Sequence, residues 1–338
     1  MALDIHGKTI RIGLALSGGG FRAAAFHLGV MRKLSDLKLL DKLDLITCVS
    51  GGSIAGATLA LNWTNGSALT KLQAYLSTKS IAVASVLGGI LDPFESRIEK
   101  LAQTYDRDLF GGKPLSALAG GPRVYFNATN LATGNMFFFA AGGGKPTEMG
   151  EHALGAHTAD TFLISQAVAA SSAFPPVFPP LRLDASVYPP GAATEYVTLT
   201  DGGVYDNMGV NPALRTERNP LDYLIISDGG KPFVDTSSPT ESGALVLKES
   251  INILMEQVRG LEFDRIQHRH LAGKGPRPLW FSIDSREGEV HPGDAAFASS
   301  ISTNLKALLP EQMDVLTRHG GALVNARIQR YAPELVTG

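Results

Sequence analysis

The sequence has one cysteine, no long uncharged apolar run and no excess of charge of either sign. A single cysteine, Cys48, among 338 residues excludes an internal disulfide framework and a cysteine-based zinc site. No uncharged apolar run approaches the ~20 residues that a membrane-spanning helix needs. The chain does not open on a basic segment followed by an apolar stretch, so no signal peptide is expected. We therefore expect a cytoplasmic protein, although secretion without a cleaved signal would leave no trace in the sequence.

The balance of charge also argues against several kinds of partner. Lysine and arginine number 30 and aspartate and glutamate 32, for a formal net charge of −2. No electrostatic term therefore favours nucleic acid, and DNA or RNA binding is not expected. No metal or other cofactor is predicted either, because His268 with His270, and His152 with His157, lack a third ligand at metal-binding spacing.

Two strand–turn–helix units fill the first 65 residues. Residues 8–17, KTIRIGLALS, are rich in Ile and Leu and end at three glycines, after which FRAAAFHLGVMRKLSDLKLL has helical spacing. The pattern repeats at once, with LDLITCVS as strand, GGS as turn and IAGATLALNW as helix. Successive units of this kind predict a three-layer α/β/α fold with a central, mostly parallel sheet.

Five later apolar runs predict further strands, at 123–131, 135–141, 196–201, 223–228 and 279–283. No repeat and no long low-complexity linker divides the chain. We therefore predict a single domain over 1–338, with a motif-bearing core at about 8–232 and a C-terminal part, 233–338, that completes the fold.

An apolar helix is predicted over 81–94. Its apolar residues recur at positions i, i+3, i+4, i+7 and i+8, starting from Val83. This spacing fits a helix that faces the core, and it equally fits a lid or an interfacial patch that meets lipid. The residues alone leave both open.

The segment CVSGGSIAGA, residues 48–57, contains two candidate nucleophiles. A nucleophile elbow needs small residues two positions before and two after the serine, because the sharp turn from strand to helix leaves no room for side chains. Ser53 meets this condition with Gly51 and Ala55, whereas Ser50 has Cys48 at the earlier position. The spacing therefore predicts Ser53 as the nucleophile, in the first turn of a helix.

The first glycine turn supplies candidate donors for an oxyanion. Gly18, Gly19 and Gly20 precede a helix that neighbours the serine turn, and their backbone N–H groups can converge on developing negative charge. The same run reads as the dinucleotide fingerprint Gly18-x-Gly20-x-x-Ala23. That alternative is weaker, because VSGGS stands where an acidic residue should close the second strand.

A serine hydroxyl also needs a base. Asp201 in LTDGGVYDNMGVNP and Asp228 in IISDGGKP both follow strands, and both are expected at the same end of a parallel sheet. The local sequence alone does not show whether Asp201 or Asp228 is the base. Asp206 and Asn207 are predicted to shape the Asp201 loop through local turn hydrogen bonds.

Four segments of the sequence together resemble those of the patatin-like phospholipases and lipid acyl hydrolases. The segments are GGGFR, GGSIA, ASSAFPPVFPP and DGGVYDNMGVNP, in the order of that family, and they span residues 14–212. The resemblance implies a Ser–Asp dyad of Ser53 and Asp201, since only Asp201 carries the N-P continuation, with Gly18 to Gly20 as oxyanion hole. Ala55 and Ala23 stand where many members have glycine, and both are small.

The resemblance further implies a serine hydrolase that cleaves carboxylic esters of lipids through an acyl-enzyme, with transient contact to a membrane surface. An acyltransferase with the same acyl-enzyme and a non-catalytic nucleotide- or lipid-binding module are the alternatives. Gly51 and Arg22 are predicted to support the site. Arg22 either orients the glycine loop, attracts a phosphate head group, or simply caps the helix at the surface. A dyad leaves no role for the downstream histidines of an ordinary triad, namely His268, His270, His291 and His319.

Overall fold

The computed structural model of the chain describes residues 3–63, 65–81, 97–175, 177–230, 232, 238 and 240–337. Apart from Ile81, the apolar helix predicted over 81–94 lies outside the described residues. The choice between a lid and a core-facing helix therefore stays a prediction.

Strands lie at each of the runs identified in the sequence, but the run at 8–17 divides into two strands. Four further short strands, one at 3–5 and three within 148–184, were not predicted. The strands are β1 (Leu3–Ile5), β2 (Lys8–Ile10), β3 (Ile12–Leu16), β4 (Leu43–Cys48), β5 (Arg123–Asn130), β6 (Met136–Ala141), β7 (Glu148–Glu151), β8 (Gly155–Thr158), β9 (Leu181–Asp184), β10 (Tyr196–Asp201), β11 (Tyr223–Asp228) and β12 (Arg277–Ser282).

Among the described residues, α-helices follow six of the twelve strands. They are α1 (Gly20–Asp36), α2 (Gly51–Leu61), α3 (Ala68–Thr78), α4 (Arg97–Tyr105), α5 (Ile164–Ser171), α6 (Gly203–Asp206), α7 (Gly243–Leu271), α8 (Asp294–Ser300), α9 (Pro310–Tyr331) and α10 (Glu334–Thr337), with a π-helical turn at Asp106–Phe110 and 3₁₀ turns at Leu40–Lys42 and Leu115–Leu118.

The described residues form a ten-stranded mixed sheet in which β12, β11, β3, β4 and β5 lie side by side in parallel. Strands β6, β7 and β8 continue the sheet beyond β5 in antiparallel pairs. Strand β3 is buried along its whole length, as expected for a parallel strand covered on both faces. The predicted α/β class with a central sheet between helices is confirmed.

Alternate residues of the strands supply two hydrophobic cores, one on each face of the sheet. Leu14 and Leu16 of β3 belong to one core, together with residues of α1, α2 and α9. Ala15, between them, belongs to the other core, with Met208 and Ile266 of α7. This split follows from the period of two along a strand.

The residues after 232 add to the same sheet and the same helical layer. Strand β12 pairs in parallel with β11, and α9 packs on α1. Two glycines allow the helices to approach closely: a Cβ on Gly29 would lie 2.0 Å from the carbonyl oxygen of Thr317, and one on Gly320 would lie 2.3 Å from that of Phe26.

One strand direction differs from the expectation. The strand that ends at Asp201 was expected to be parallel to its neighbours, and that expectation is wrong, because β10 is antiparallel to β5. Strand β6 covers one edge of β5, while β4 and β10 share the other edge. Along that edge Cys48 pairs with Phe126 and Asp201 pairs with Ala128. The carboxyl ends of β4 and β10 therefore meet head to head.

Candidate active site

The turn between β4 and α2 carries a strained residue. Ser50 has φ 51° and ψ −115°, a backbone conformation that residues with a side chain rarely adopt. Such a residue costs on the order of 1–3 kcal/mol and is found mostly at functional sites. A strained serine on a sharp turn from strand to helix is the feature that defines a nucleophile elbow. In this chain the feature lies at Ser50.

Close backbone contacts explain the two glycines that follow Ser50. A Cβ on Gly51 would lie 2.2 Å from the carbonyl oxygen of Gly20, and one on Gly52 would lie 2.2 Å from that of Leu16. The serine turn and the glycine turn after β3 therefore touch through their backbones. Gly51, predicted as a supporting residue, lies at this contact.

The backbone of Ser50 is held by the end of α5. Its N–H donates to both the carbonyl oxygen and the hydroxyl oxygen of Ser171, each at 3.1 Å. The carbonyl of Ser171 also accepts from the N–H of Gly202, at 3.4 Å, next to Asp201. Ser171 thus joins the loop of one candidate residue to the loop of the other.

Ser53 lies in the first turn of a helix, as the sequence predicts. It is fully buried in the first turn of α2, and its hydroxyl lies 2.8 Å from that of Ser171. The serine hydroxyl close enough to influence the carboxyl of Asp201 is that of Ser50. The structure therefore does not bring Ser53 and Asp201 together, although both are buried near the same turn.

The carboxyl group of Asp201 is buried and only partly satisfied. Its Oδ1 accepts from the N–H of Gly203 at 2.7 Å, while its Oδ2 has no partner of normal hydrogen-bond geometry among the described residues. Burial raises the pKa of Asp201 to about 7, against the opposing effects of the Gly203 N–H and the Ser50 hydroxyl. We take the Ser50 contact as an approach rather than a formed hydrogen bond, since such contacts often tighten only with substrate.

The competing aspartate is fully engaged. Asp228 accepts from Nε of Arg259 at 2.7 Å through Oδ2 and from the N–H of Gly230 at 3.1 Å through Oδ1. A carboxylate held by an ion pair and a backbone amide has no free oxygen for a substrate proton. The geometry thus favours Asp201 over Asp228 as the base, as the family resemblance does.

The three glycines of the first turn differ in availability. The N–H of Gly18 already donates to the carbonyl oxygen of Asn207, at 3.0 Å. Gly19 and Gly20 have φ 137° and 62°, and within the described ranges their N–H groups have no hydrogen-bond partner. A Cβ on Gly18 would lie 3.4 Å from Cβ of Ser50, so the turn lies directly beside the strained serine. Gly19 and Gly20 remain candidate oxyanion donors, and Gly18 has the structural role.

Arg22 is buried completely. Its Nη1 donates to the carbonyl oxygen of Ile301 at 2.9 Å and its Nη2 to that of Gly229 at 3.0 Å. Burial lowers the pKa of Arg22 to about 10, and the nearby charge of Asp228 acts in the opposite direction. A guanidinium without solvent access fits neither a surface cap nor a receptor for a head group. It fits the predicted support of the glycine loop.

A buried histidine lies behind the glycine turn, and sequence reasoning did not identify it. Nε2 of His27 lies 3.0 Å from the carbonyl oxygen of Ser17, and Nδ1 lies 2.8 Å from Oγ of Ser227. Burial lowers the pKa of His27 to about 4, so the ring is neutral. Nε2 therefore carries the proton and Nδ1 accepts from the serine. The Ser17 hydroxyl in turn accepts from the N–H of Gly229 at 2.8 Å.

The loop after Asp201 has the local hydrogen bonds expected of it. Asp206 accepts from the N–H of Gly209 at 2.8 Å and from that of Asn211 at 2.7 Å, which confirms its predicted role in shaping the turn.

The downstream histidines bond elsewhere. Nδ1 of His268 lies 2.8 Å from the carbonyl oxygen of Asp264, and Nε2 of His319 lies 2.9 Å from that of Ile283. Within the described part of the chain no histidine forms a hydrogen bond with Ser50, Ser53 or Asp201. The same residues contain no group of three or more His, Cys, Asp or Glu side chains that could hold a metal ion. Nor do they include a helix both long and apolar enough to cross a membrane.

Comparison with known proteins assigns the chain to a family. The family model for patatin-like phospholipase matches residues 14–214, more than half of the sequence. No curated protein matches it. Among solved structures it is similar to human GIVD cytosolic phospholipase A2, at 15% identity and a TM-score of 0.62 over 96% of this chain and 60% of that one. A second structure of that enzyme, with methyl γ-linolenyl fluorophosphonate and terbium chloride, has 14% identity and a TM-score of 0.61, over 99% of this chain. This chain spans 60% of the length of those human structures, and it belongs to the patatin-like phospholipase family.

Proposed function

We propose that the protein is a serine hydrolase that cleaves carboxylic esters of lipids, with Ser50 as nucleophile and Asp201 as base. One observation carries the proposal: the strained Ser50 stands beside a buried carboxyl whose pKa is raised to about 7. A base of this pKa accepts a proton at neutral pH and can return it to a leaving group. Family membership supports lipids as the substrate class.

The proposed reaction starts with the free oxygen of Asp201. Oδ2 takes the proton of the Ser50 hydroxyl while Oγ attacks the ester carbonyl carbon. The tetrahedral oxyanion is stabilised by N–H groups of the glycine turn, with Gly19 and Gly20 as the donors left unengaged. The C–O bond of the ester breaks, and the leaving alcohol takes the proton from Asp201. Water then attacks the acyl-enzyme with Asp201 again as base, which releases the fatty acid and restores Ser50.

The assignment of Ser50 in place of Ser53 depends on three contrasts. Ser50 has the strained backbone, is only partly buried and faces Asp201, whereas Ser53 has a helical position and is completely buried. The hydroxyl of Ser53 is paired with that of Ser171. A nucleophile must reach a carbonyl carbon that enters from outside, and these contrasts favour Ser50.

A panel of lipid esters, with free fatty acid measured as product, tests the activity. We expect release of fatty acid by the parent protein and none by a Ser50→Ala variant that keeps the parent melting temperature. Transfer to an added alcohol, with the ester as product, would identify the acyltransferase alternative. Failure of the folded protein to turn over any ester, or to react with a fluorophosphonate of the kind bound to the human enzyme, would favour a binding module.

A further inference from the structure

A cavity lies on the face of the sheet that carries the second hydrophobic core. Its volume is about 610 Å³, and neither Ser50 nor Asp201 lines it. Its walls come from β5–β8, from the loop 212–219 and from the C-terminal half of α7. A concave space of this size fits a small organic molecule.

Arginines dominate the charge of this cavity. Arg215 and Arg218 come from the loop, Arg265 and Arg269 come from α7, and the lining carboxylates are Glu151 and Glu217. Arginines therefore outnumber carboxylates two to one, in a chain whose formal net charge is −2.

The carboxylate of Glu151 is already occupied. Its Oε2 accepts from Nδ2 of Asn130 at 2.8 Å and from the hydroxyl of Thr133 at 2.9 Å, and its Oε1 accepts from Nδ2 of Asn135 at 3.2 Å. It is also almost fully buried. Because both of its carboxylate oxygens accept these hydrogen bonds, Glu151 does not act as a counter-ion to the arginines.

Neutral acceptors, rather than carboxylates, hold the two arginines of α7. Nη1 of Arg265 donates to Oδ1 of Asn211 at 2.8 Å, and Nη2 of Arg269 donates to the carbonyl oxygens of Leu214 and Lys274, each at 3.1 Å. Nε of Arg269 is buried and has no hydrogen-bond partner among the described residues. The acceptors of these hydrogen bonds carry no negative charge, although Arg265 also interacts electrostatically with the carboxyl of Glu262.

The loop arginines are freer still. Arg215 is exposed, and its side chain forms no ion pair or hydrogen bond with any described residue. Arg218 reaches Glu148 only at 3.9 Å, and that carboxylate is held by Arg123 at 2.7 Å. The guanidinium of Arg218 lies over the ring of Phe138, 5.5 Å from its centroid. These two side chains can turn toward a ligand without breaking a strong contact.

Aromatic side chains form the apolar part of the cavity wall. Tyr125 of β5, Phe138 of β6 and Tyr205 of α6 line it together with Met136. The site therefore combines several guanidinium groups with an aromatic surface, which suits a ligand that carries an anionic group on an apolar or planar body.

We propose that this cavity binds an organic phosphate through Arg215, Arg218, Arg265 and Arg269. Guanidinium groups bind phosphate oxygens through paired N–H donors, and several of them together neutralise a group with more than one negative charge. The phosphate comes either from a soluble metabolite or from an anionic lipid head group. This proposal does not depend on the assigned catalytic residues.

Calorimetric titration of the parent protein with inorganic phosphate and with phenyl phosphate tests the soluble source. Vesicles of phosphatidylcholine, with and without phosphatidic acid, test the lipid source. Arg215→Gln is the informative variant, because the side chain has no partner to lose in the folded protein. Arg286→Gln is the matched control, since Arg286 is also exposed and its side chain has no partner among the described residues.

We expect phenyl phosphate to bind several-fold more tightly than inorganic phosphate, because the ring adds aromatic contact. Arg215→Gln should weaken binding about tenfold, the effect of one charge-assisted hydrogen bond, while Arg286→Gln leaves it unchanged. Binding to phosphatidic acid vesicles alone, with the same dependence on Arg215, would assign the lipid head group as ligand. Absence of binding in both arms at millimolar phosphate, or equal loss in the two variants, would overturn the proposal.

Discussion

The hydroxyl of Ser53 lies 2.8 Å from the hydroxyl of Ser171, in the interior of the protein. Ser171 Oγ in turn donates to the carbonyl oxygen of Asn127 at 2.6 Å. Ser53 is therefore part of a buried hydrogen-bond network beneath the serine turn. Ser50, three residues earlier, is only partly buried and faces Asp201.

This relationship predicts which serine reacts. A fluorophosphonate should label the protein once, at Ser50, and Ser50→Ala should abolish labelling and lower kcat at least about 10⁴-fold, as removal of a serine nucleophile does. Ser53→Ala should keep labelling and stay within about tenfold of the parent rate. Its loss of one buried hydrogen bond should cost about 1 kcal/mol of stability.

Peptide mass mapping after labelling reads the position directly, and thermal melting shows that each variant is folded. Both serines lie in one peptide, so fragmentation within that peptide is needed to separate them. A label on Ser53 in the parent protein would return the nucleophile to the position that the sequence spacing indicates.

Much of the architecture could be predicted from sequence because it depends on patterns that sequence displays. The apolar run at 123–131 is a buried strand and the run at 279–283 contains most of β12. The predicted glycine turns at 18–20 and 51–52 each follow a strand. The antiparallel direction of β10 could not be predicted, because a strand's residues do not encode which neighbour it pairs with. The close approach of Ser50 to Asp201 follows from that pairing, so it could not be predicted from the sequence either.

The spacing rule that selects Ser53 depends on Cys48, because Ser50 has this larger side chain two positions before it. The fold nevertheless accommodates a cysteine at that position: a Cβ on Gly56 would lie 2.3 Å from Sγ of Cys48, so the cysteine fills a space that Gly56 leaves in α2. The steric demand falls instead on Gly51 and Gly52, directly after Ser50. Two consecutive glycines after a serine at a strand end are the sequence feature that favours the proposed Ser50.

The two aspartates should respond differently to amidation. Asp201→Asn should lower kcat by about 10⁴-fold or more, because an amide cannot accept the proton of Ser50. Asp228→Asn should keep most of the activity but destabilise the protein by roughly 1–3 kcal/mol, since it breaks a buried ion pair whose arginine still has Glu256 as a partner. Steady-state kinetics and denaturant unfolding of both variants make the comparison. Full activity in a folded Asp201→Asn protein would exclude Asp201 as the base.

The pH dependence of kcat/KM should follow Asp201. The ionised carboxylate is the active base, so the rate should rise with pH and level off above an apparent pKa of about 7. A histidine side chain can also titrate in this range. His268, His270, His291 and His319 are therefore replaced by glutamine, one at a time. The inflection should survive in each variant. Its disappearance in one of them, with the fold retained, would indicate a triad.

The free energy of unfolding should also depend on pH through Asp201, but it should fall with rising pH where the rate rises. The folded state keeps the Asp201 proton up to a pKa of about 7, whereas the unfolded chain releases it near 3.8, so the free energy of unfolding falls as pH rises through this window. The loss is on the order of 4 kcal/mol for a shift of this size. Asp201→Asn does not titrate, so its stability relative to the parent should increase between pH 4 and pH 8. Urea unfolding at several pH values measures the difference. A constant difference would mean that Asp201 is ionised throughout.

Ser171 should affect turnover more than binding, because it positions both halves of the site. Its hydroxyl accepts from the N–H of Ser50, and its carbonyl accepts from the N–H groups of Ser50 and Gly202. Ser171→Ala removes the first of these contacts and leaves the carbonyl in place. The turn should then hold Ser50 less firmly, which should lower kcat about tenfold with little change in KM.

The adjacent Ser172 provides a matched control, since its hydroxyl donates to the carbonyl oxygen of Val168 within the end of the same helix. Ser172→Ala should leave kcat near the parent value. A double-mutant cycle of Ser53→Ala and Ser171→Ala adds a second test, because the two hydroxyls bond to each other and their stability effects should not add. The pH profile of Ser171→Ala should keep its inflection, since the carboxyl of Asp201 is unchanged. A loss of activity in Ser171→Ala that appears only in KM, or that Ser172→Ala reproduces, would show that Ser171 acts on general packing rather than on the position of Ser50.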